Sequence, residues 1–203
     1  MQYTISESKI RCNFTAYSDD FVNDSVSNQI REISNLILAQ VPDITSLVLL
    51  GGFARGEGSV VKESDRITPL GDYDLLIVTK NPHLSMELDG LDDLVRGFGL
   101  QHADYAYVWK PMLRFVKRSI FWYEVKFGGK VIWGDQRIID HIPIQSARDI
   151  DLREGIKLLL NRLAGIFQCF DYGNFENNIS EKQQEYIIYQ CVKGILACGE
   201  SLL

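Results

Sequence analysis

The stretch "LVLLGGFARGEGSVVKESDRITPLGDYDLLIVTK", residues 47–80, decides the fold. It opens with an apolar run that stops at the glycine pair Gly51 and Gly52, and it closes with a second apolar run entered through Asp72 and Asp74. Short apolar runs bounded by glycine, proline and asparagine read as buried strands, so "SLVLL" and "DYDLLIVTK" are predicted strands of one sheet. Residues i and i+2 of a strand share a face, which sets the two aspartates side by side. Carboxylates so placed repel one another at the mouth of a buried strand unless a cation neutralises them. Magnesium suits the purpose, since it takes carboxylate oxygens and completes its shell with water and substrate phosphates. Gly51 and Gly52 allow close backbone approach and offer N–H groups to an anion, more so if "FARG" opens a helix there. Arg55 is then a natural phosphate partner, the alternative being a solvated surface cation.

Working outward, "SVSNQIREISNLILAQV" places Val26, Ile30, Ile33, Ile37 and Val41 at helical spacing before Pro42. "FARGEGSVVKESDRITPLG" is too polar and glycine-rich for a strand and is predicted as a short helix or turn plus a loop. "LSMELDGLDDLVRGFG" predicts a helix, "QHADYAYVWK" a third strand, and "IFWYEVKFGGKVIWG" a hairpin turning at Gly128 and Gly129. On such a hairpin Glu124 and Lys126 share a strand face and would pair. Pro143 and "QSARD" mark a boundary between domains at 1–145 and 146–203. Beyond it, two helical patterns form a hairpin, the second starting at Ser180, with Ile156, Leu159, Leu160, Leu163 and Ile166 as its packing stripe. No glycine or proline stops the last helix before Leu203, so that end is expected to continue or to bury against a partner. The expected class is α+β: a small mixed sheet flanked by helices, then a C-terminal helical hairpin.

Composition narrows the functional classes. The chain has 203 residues, 46% of them hydrophobic, and a net charge of −6. That length supports a substantial core. The acidic balance argues against a nucleic-acid track, and no apolar run approaches the roughly 20 residues of a membrane span. The start "MQYTISESK" lacks the order of a secretion signal, giving a cytoplasmic expectation. Cys12, Cys169, Cys191 and Cys198 show no metal or disulfide spacing and read as reduced packing residues. Tyr105, Tyr107, Trp109, Trp122 and Trp133 read as core or sheet-face aromatics. His83, His102 and His141 are scattered, and none is a candidate base.

"LLGGFARGEG" followed by "GDYDLLIV" resembles the signature of the DNA polymerase β-type nucleotidyltransferase superfamily. The "FARG" after the glycine pair is similar to that of the small enzymes like kanamycin nucleotidyltransferase and of the minimal nucleotidyltransferases. The resemblance implies that Gly51 and Gly52 contact phosphate and that Asp72 and Asp74 hold metal. It also implies a third carboxylate on the next strand, for which Asp104 is the candidate and Glu124 the rival, Glu124 serving alternatively as base on the acceptor. A two-magnesium site, an NTP co-substrate, a small-molecule acceptor such as a sugar or antibiotic, and release of pyrophosphate follow. A homodimer or a helical partner through the C-terminal helices is the implied assembly. The competing class is an antitoxin-like or regulatory module that binds or modifies a partner protein. A helical RNase tail of the kind paired with minimal nucleotidyltransferases does not fit, because no histidine follows His141. Two features depart from the family pattern: the long "VVKESDRITPL" connection, and Gly52 where many members carry serine.

Overall fold

A computed structural model describes residues 13–63, 66–82, 86–100, 103–169 and 181–201. Cys12, His83, His102, Ser180 and Leu203 lie outside these residues. The chain is α+β, and it divides into two compact units, one within 1–117 and 124–143, the other within 118–123 and 144–203.

The first unit is built on a mixed sheet of four strands, β1 (Ile44–Leu49), β4 (Asp74–Thr79), β5 (Asp104–Trp109) and β6 (Lys130–Gly134), in the order β5-β4-β1-β6. Strand β1 runs antiparallel to both β4 and β6, while β4 and β5 are parallel. Alternate residues of the inner strands enter opposite faces. Leu47, Leu49, Leu75 and Ile77 join a core with Val26, Ile30, Ile33 and Ile37 of helix α1 (Asp20–Gln40), while Val48, Leu76 and Val78 are buried outside that cluster. Strands buried on both faces must be apolar throughout, which is why these two read as continuous runs. Helix α1 starts earlier than the apolar spacing implied, because Asp19 caps it by accepting from the N–H groups of Phe21 and Val22.

Three expectations for this unit are corrected. "VVKESDRITPL" is a small hairpin, β2 (Val60–Glu63) against β3 (Arg66–Pro69), with Val60 and Ile67 buried beneath exposed polar neighbours. Of the predicted helix over 84–99, the described residues are helical only in α3 (Leu91–Phe98), confined between Gly90 and Gly99, both left-handed at φ 72° and 98°. "IFWYEVKFGG" is a helix, α4 (Ile120–Gly128), and "KVIWG" pairs with β1 rather than with it. The local signal is Ser119, whose Oγ accepts from the Trp122 N–H at 3.3 Å and whose carbonyl accepts from the Tyr123 N–H at 3.0 Å. This capped turn overrides the β preference of the aromatic run. Glu124 and Lys126 therefore share no strand face, and Lys126 Nζ donates to the Ile142 carbonyl at 2.6 Å instead.

The second unit contains α5 (Leu152–Gln168) and α6 (Glu181–Glu200), which pack together. Their seam is lined by glycine: a Cβ on Gly165 would stand 3.1 Å from Gln190, and one on Gly194 3.0 Å from Ile166. This corrects the predicted packing stripe. Leu159 and Ile166 are half-buried, but Ile156, Leu160 and Leu163 are exposed, because the close seam lies on a different face of α5. Among the described cysteines, Cys169, Cys191 and Cys198 are free thiols. No helix among the described residues is long and apolar enough to cross a membrane.

Candidate active site

Strand β1 ends at Leu49, and the chain turns at once into α2 (Gly51–Arg55). Gly51 sits at φ 68°, and a Cβ there would fall 2.5 Å from Asp74 Oδ2. The position therefore excludes side chains twice, by backbone conformation and by the closeness of that carboxylate. Gly52 differs, since its Cβ would meet nothing nearer than the Glu57 carbonyl at 3.6 Å, an ordinary contact. A serine is sterically acceptable there.

Asp74 is the first residue of β4, and its carbonyl accepts from the Leu50 N–H at 2.8 Å. Asp104 is the first residue of β5 and is registered directly beside Asp74. Neighbouring strands lie about 4.8 Å apart, so the two carboxylates rise from adjacent strand starts. Asp72 stands two residues ahead of Asp74, with Tyr73 between them fully buried and its ring 4.7 Å from that of Phe53 in α2. Driving Tyr73 into the core leaves Asp72 and Asp74 half-buried, and Asp104 is exposed. The structure thus sets Gly51 against Asp74 and registers Asp104 beside Asp74, with Asp72 just ahead of that strand.

Arg55 is engaged by carboxylates. Its Nε donates to Glu57 Oε2 at 2.9 Å, and its guanidinium lies 4.0 Å from Glu124 Oε1. Its aliphatic stem packs against Gly128, where a Cβ would come within 3.3 Å. The approach of Glu124 was missed by sequence reasoning, because it depends on residues 120–128 being helical. Ser119 ahead of the aromatic run was the signal that could have found it.

Among the described residues no three His, Cys, Asp or Glu side chains converge into a ready-made cage for a metal ion. The donor set nonetheless fits magnesium, which is commonly held by one or two carboxylates together with substrate phosphates.

No family model matches the chain, and no curated protein matches it by sequence. Among solved structures, spectinomycin adenyltransferase AAD(9) from Enterococcus faecialis, with ATP and spectinomycin, is similar at a TM-score of 0.49 and 13% identity, over 82% of this chain and 89% of that one. The complex of tri-AMPylated Shewanella oneidensis HEPN toxin with MNT antitoxin contains a chain similar at 0.33 and 15%, over 70% of this chain and 96% of that one. A toxin–antitoxin structure with AMP-PNP gives 0.32 and 17%, over 70% and 95%. These are likenesses of structure, at 13–17% identity.

Proposed function

We propose that this chain is a magnesium-dependent nucleotidyltransferase that moves a nucleoside monophosphate from an NTP to a hydroxyl of a small-molecule acceptor and releases pyrophosphate. The observation that supports the reading is the close approach of Gly51 to the Asp74 carboxylate, with Asp104 registered beside Asp74 at the start of the next strand. Asp72 and Asp74 would hold the metal with the triphosphate, and Asp104 would complete the carboxylate set. Magnesium, when bound, neutralises phosphate charge and stabilises the leaving pyrophosphate. The Gly51 and Gly52 backbone borders the space in which the phosphates would lie, and Arg55 would exchange Glu57 for a phosphate oxygen. The acceptor oxygen bonds to the α-phosphorus as the bond to the pyrophosphate oxygen breaks. The acceptor proton passes to a site carboxylate, for which Asp104 and Glu124 are the candidates. Catalysis of this kind is chiefly positioning and charge neutralisation. The net charge of −6 favours a small acceptor over a polynucleotide.

The test is calorimetric binding of a non-hydrolysable NTP with and without magnesium, on wild type and on the Asp72→Asn, Asp74→Asn double variant. Binding that needs magnesium and disappears in the double variant is the expected result. A wild type that ignores every NTP in magnesium overturns the reading. A second reading, a regulatory or antitoxin-like module acting on a partner protein, is favoured by one observation, the exposed apolar residues of α5 and α6. It takes precedence if nucleotide binding is absent.

A further inference from the structure

Helix α1 carries a polar residue among its core positions. Gln29 is 8% exposed, with Val22, Val26, Ile30 and Ile33 buried on the same helix. A buried amide is costly unless both ends are bonded, and an aliphatic residue would serve the core as well. Both ends are bonded here. The Tyr73 hydroxyl donates to Gln29 Oε1 at 2.7 Å, and Gln29 Nε2 donates to the Ile67 carbonyl of β3 at 3.0 Å. Tyr73 is the residue between the two aspartates, and its ring is braced by Phe53 from the helix that follows Gly51.

We propose that Gln29, acting through Tyr73, is a positioning residue for the metal-holding carboxylates, and that the β2–β3 hairpin is the strut that orients it. The inference rests on the nucleotidyltransferase reading above. Asp74 lies within β4, where its backbone is tied to Leu50, but Asp72 precedes the strand. Asp72 adjoins the Tyr73 anchor directly, so a shift of Tyr73 carries the Asp72 backbone with it. The anchor ends on a backbone carbonyl of the hairpin, so the long connection between the glycine pair and the aspartates acquires a role in the site. Groups that orient metal ligands typically change metal affinity 10- to 100-fold when removed.

The experiment titrates magnesium against a fixed concentration of non-hydrolysable NTP, for wild type, Tyr73→Phe, Gln29→Met and the double variant, with thermal unfolding of each protein free of metal. Tyr73→Phe keeps the ring against Phe53, and Gln29→Met keeps the side-chain length. Each single variant is expected to raise the half-saturating magnesium concentration about tenfold, with the double variant little worse than either, as for members of one chain of bonds. Lower melting temperatures with an unchanged magnesium requirement make the network purely structural and overturn the inference alone. Absence of magnesium-dependent binding in the wild type overturns the nucleotidyltransferase reading, and this inference with it.

Discussion

Gly51 and Gly52 are neighbours with different tolerances. At Gly51 an alanine must adopt φ near 68° and place its methyl 2.5 Å from Asp74 Oδ2. The left-handed conformation alone costs an L-residue about 1–2 kcal/mol, and the methyl would also displace the Asp74 carboxylate. Gly51→Ala is expected to lose about that much stability in urea denaturation and to abolish magnesium-dependent nucleotide binding. Gly52→Ser, with 3.6 Å of clearance, should stay within about 0.5 kcal/mol of wild type and keep binding. Equal damage at both positions would remove the steric account. Tyr73 has a signature of its own. Burial raises its pKa well above the ordinary 10.0. A raised folded-state pKa means that the associated stability is complete below the unfolded-state value and is lost as pH rises beyond it. Wild type should therefore lose stability more steeply above pH ~10 than Tyr73→Phe, as read from unfolding midpoints across that range.

Elements differ in how plainly their residues announce them. Strands β1 and β4 were legible because burial on both faces demands apolar residues throughout, and because glycine and aspartate punctuate them sharply. The meeting of Gly51 with Asp74 was implicit in two adjacent strand ends. The register that sets Asp104 beside Asp74 is a property of the sheet, and no local pattern encodes it. Hairpin β2–β3 escaped because, among its described residues, only Val60, Ile67 and Pro69 are buried, leaving a largely polar string. Helix α4 was misread because Ile, Phe, Trp, Tyr and Val favour strands, and a short segment is governed by its cap more than by its average propensity. Ser119 is the residue that tips the balance, so Ser119→Ala should cost about 1 kcal/mol in denaturant unfolding. It should also weaken the approach of Glu124 to Arg55, which the helix alone creates. An unchanged unfolding midpoint would mean that tertiary packing, and not the cap, selects helix over strand at 120–128.

At the scale of the whole molecule, the second unit presents more apolar surface than its own helix pair can cover. On α5, Leu152, Ile156, Leu160, Leu163 and Phe167 are 46–87% exposed, and their spacing of four, four, three and four residues keeps them on one stripe. On α6, Ile188, Val192, Ile195 and Leu196 are 47–71% exposed on a second stripe. At on the order of 100 Å² for each half-exposed side chain, these stripes total roughly 900 Å². Summed over both helices, that is comparable with the about 800 Å² per partner of a stable interface. Covering the stripes takes a further apolar surface, and an isologous pairing of two copies needs only one self-complementary face, whereas a helical partner protein must bring its own. Sedimentation equilibrium of wild type over a hundredfold concentration range should show a dimer, and the Ile156→Glu, Ile195→Glu variant should shift it to monomer. Because the sheet, Gly51 and the aspartates belong to the other unit, the same variant should retain magnesium-dependent nucleotide binding. A wild type that stays monomeric throughout removes self-association as the way the stripes are covered. Loss of nucleotide binding on monomerisation would make the assembly part of the site itself.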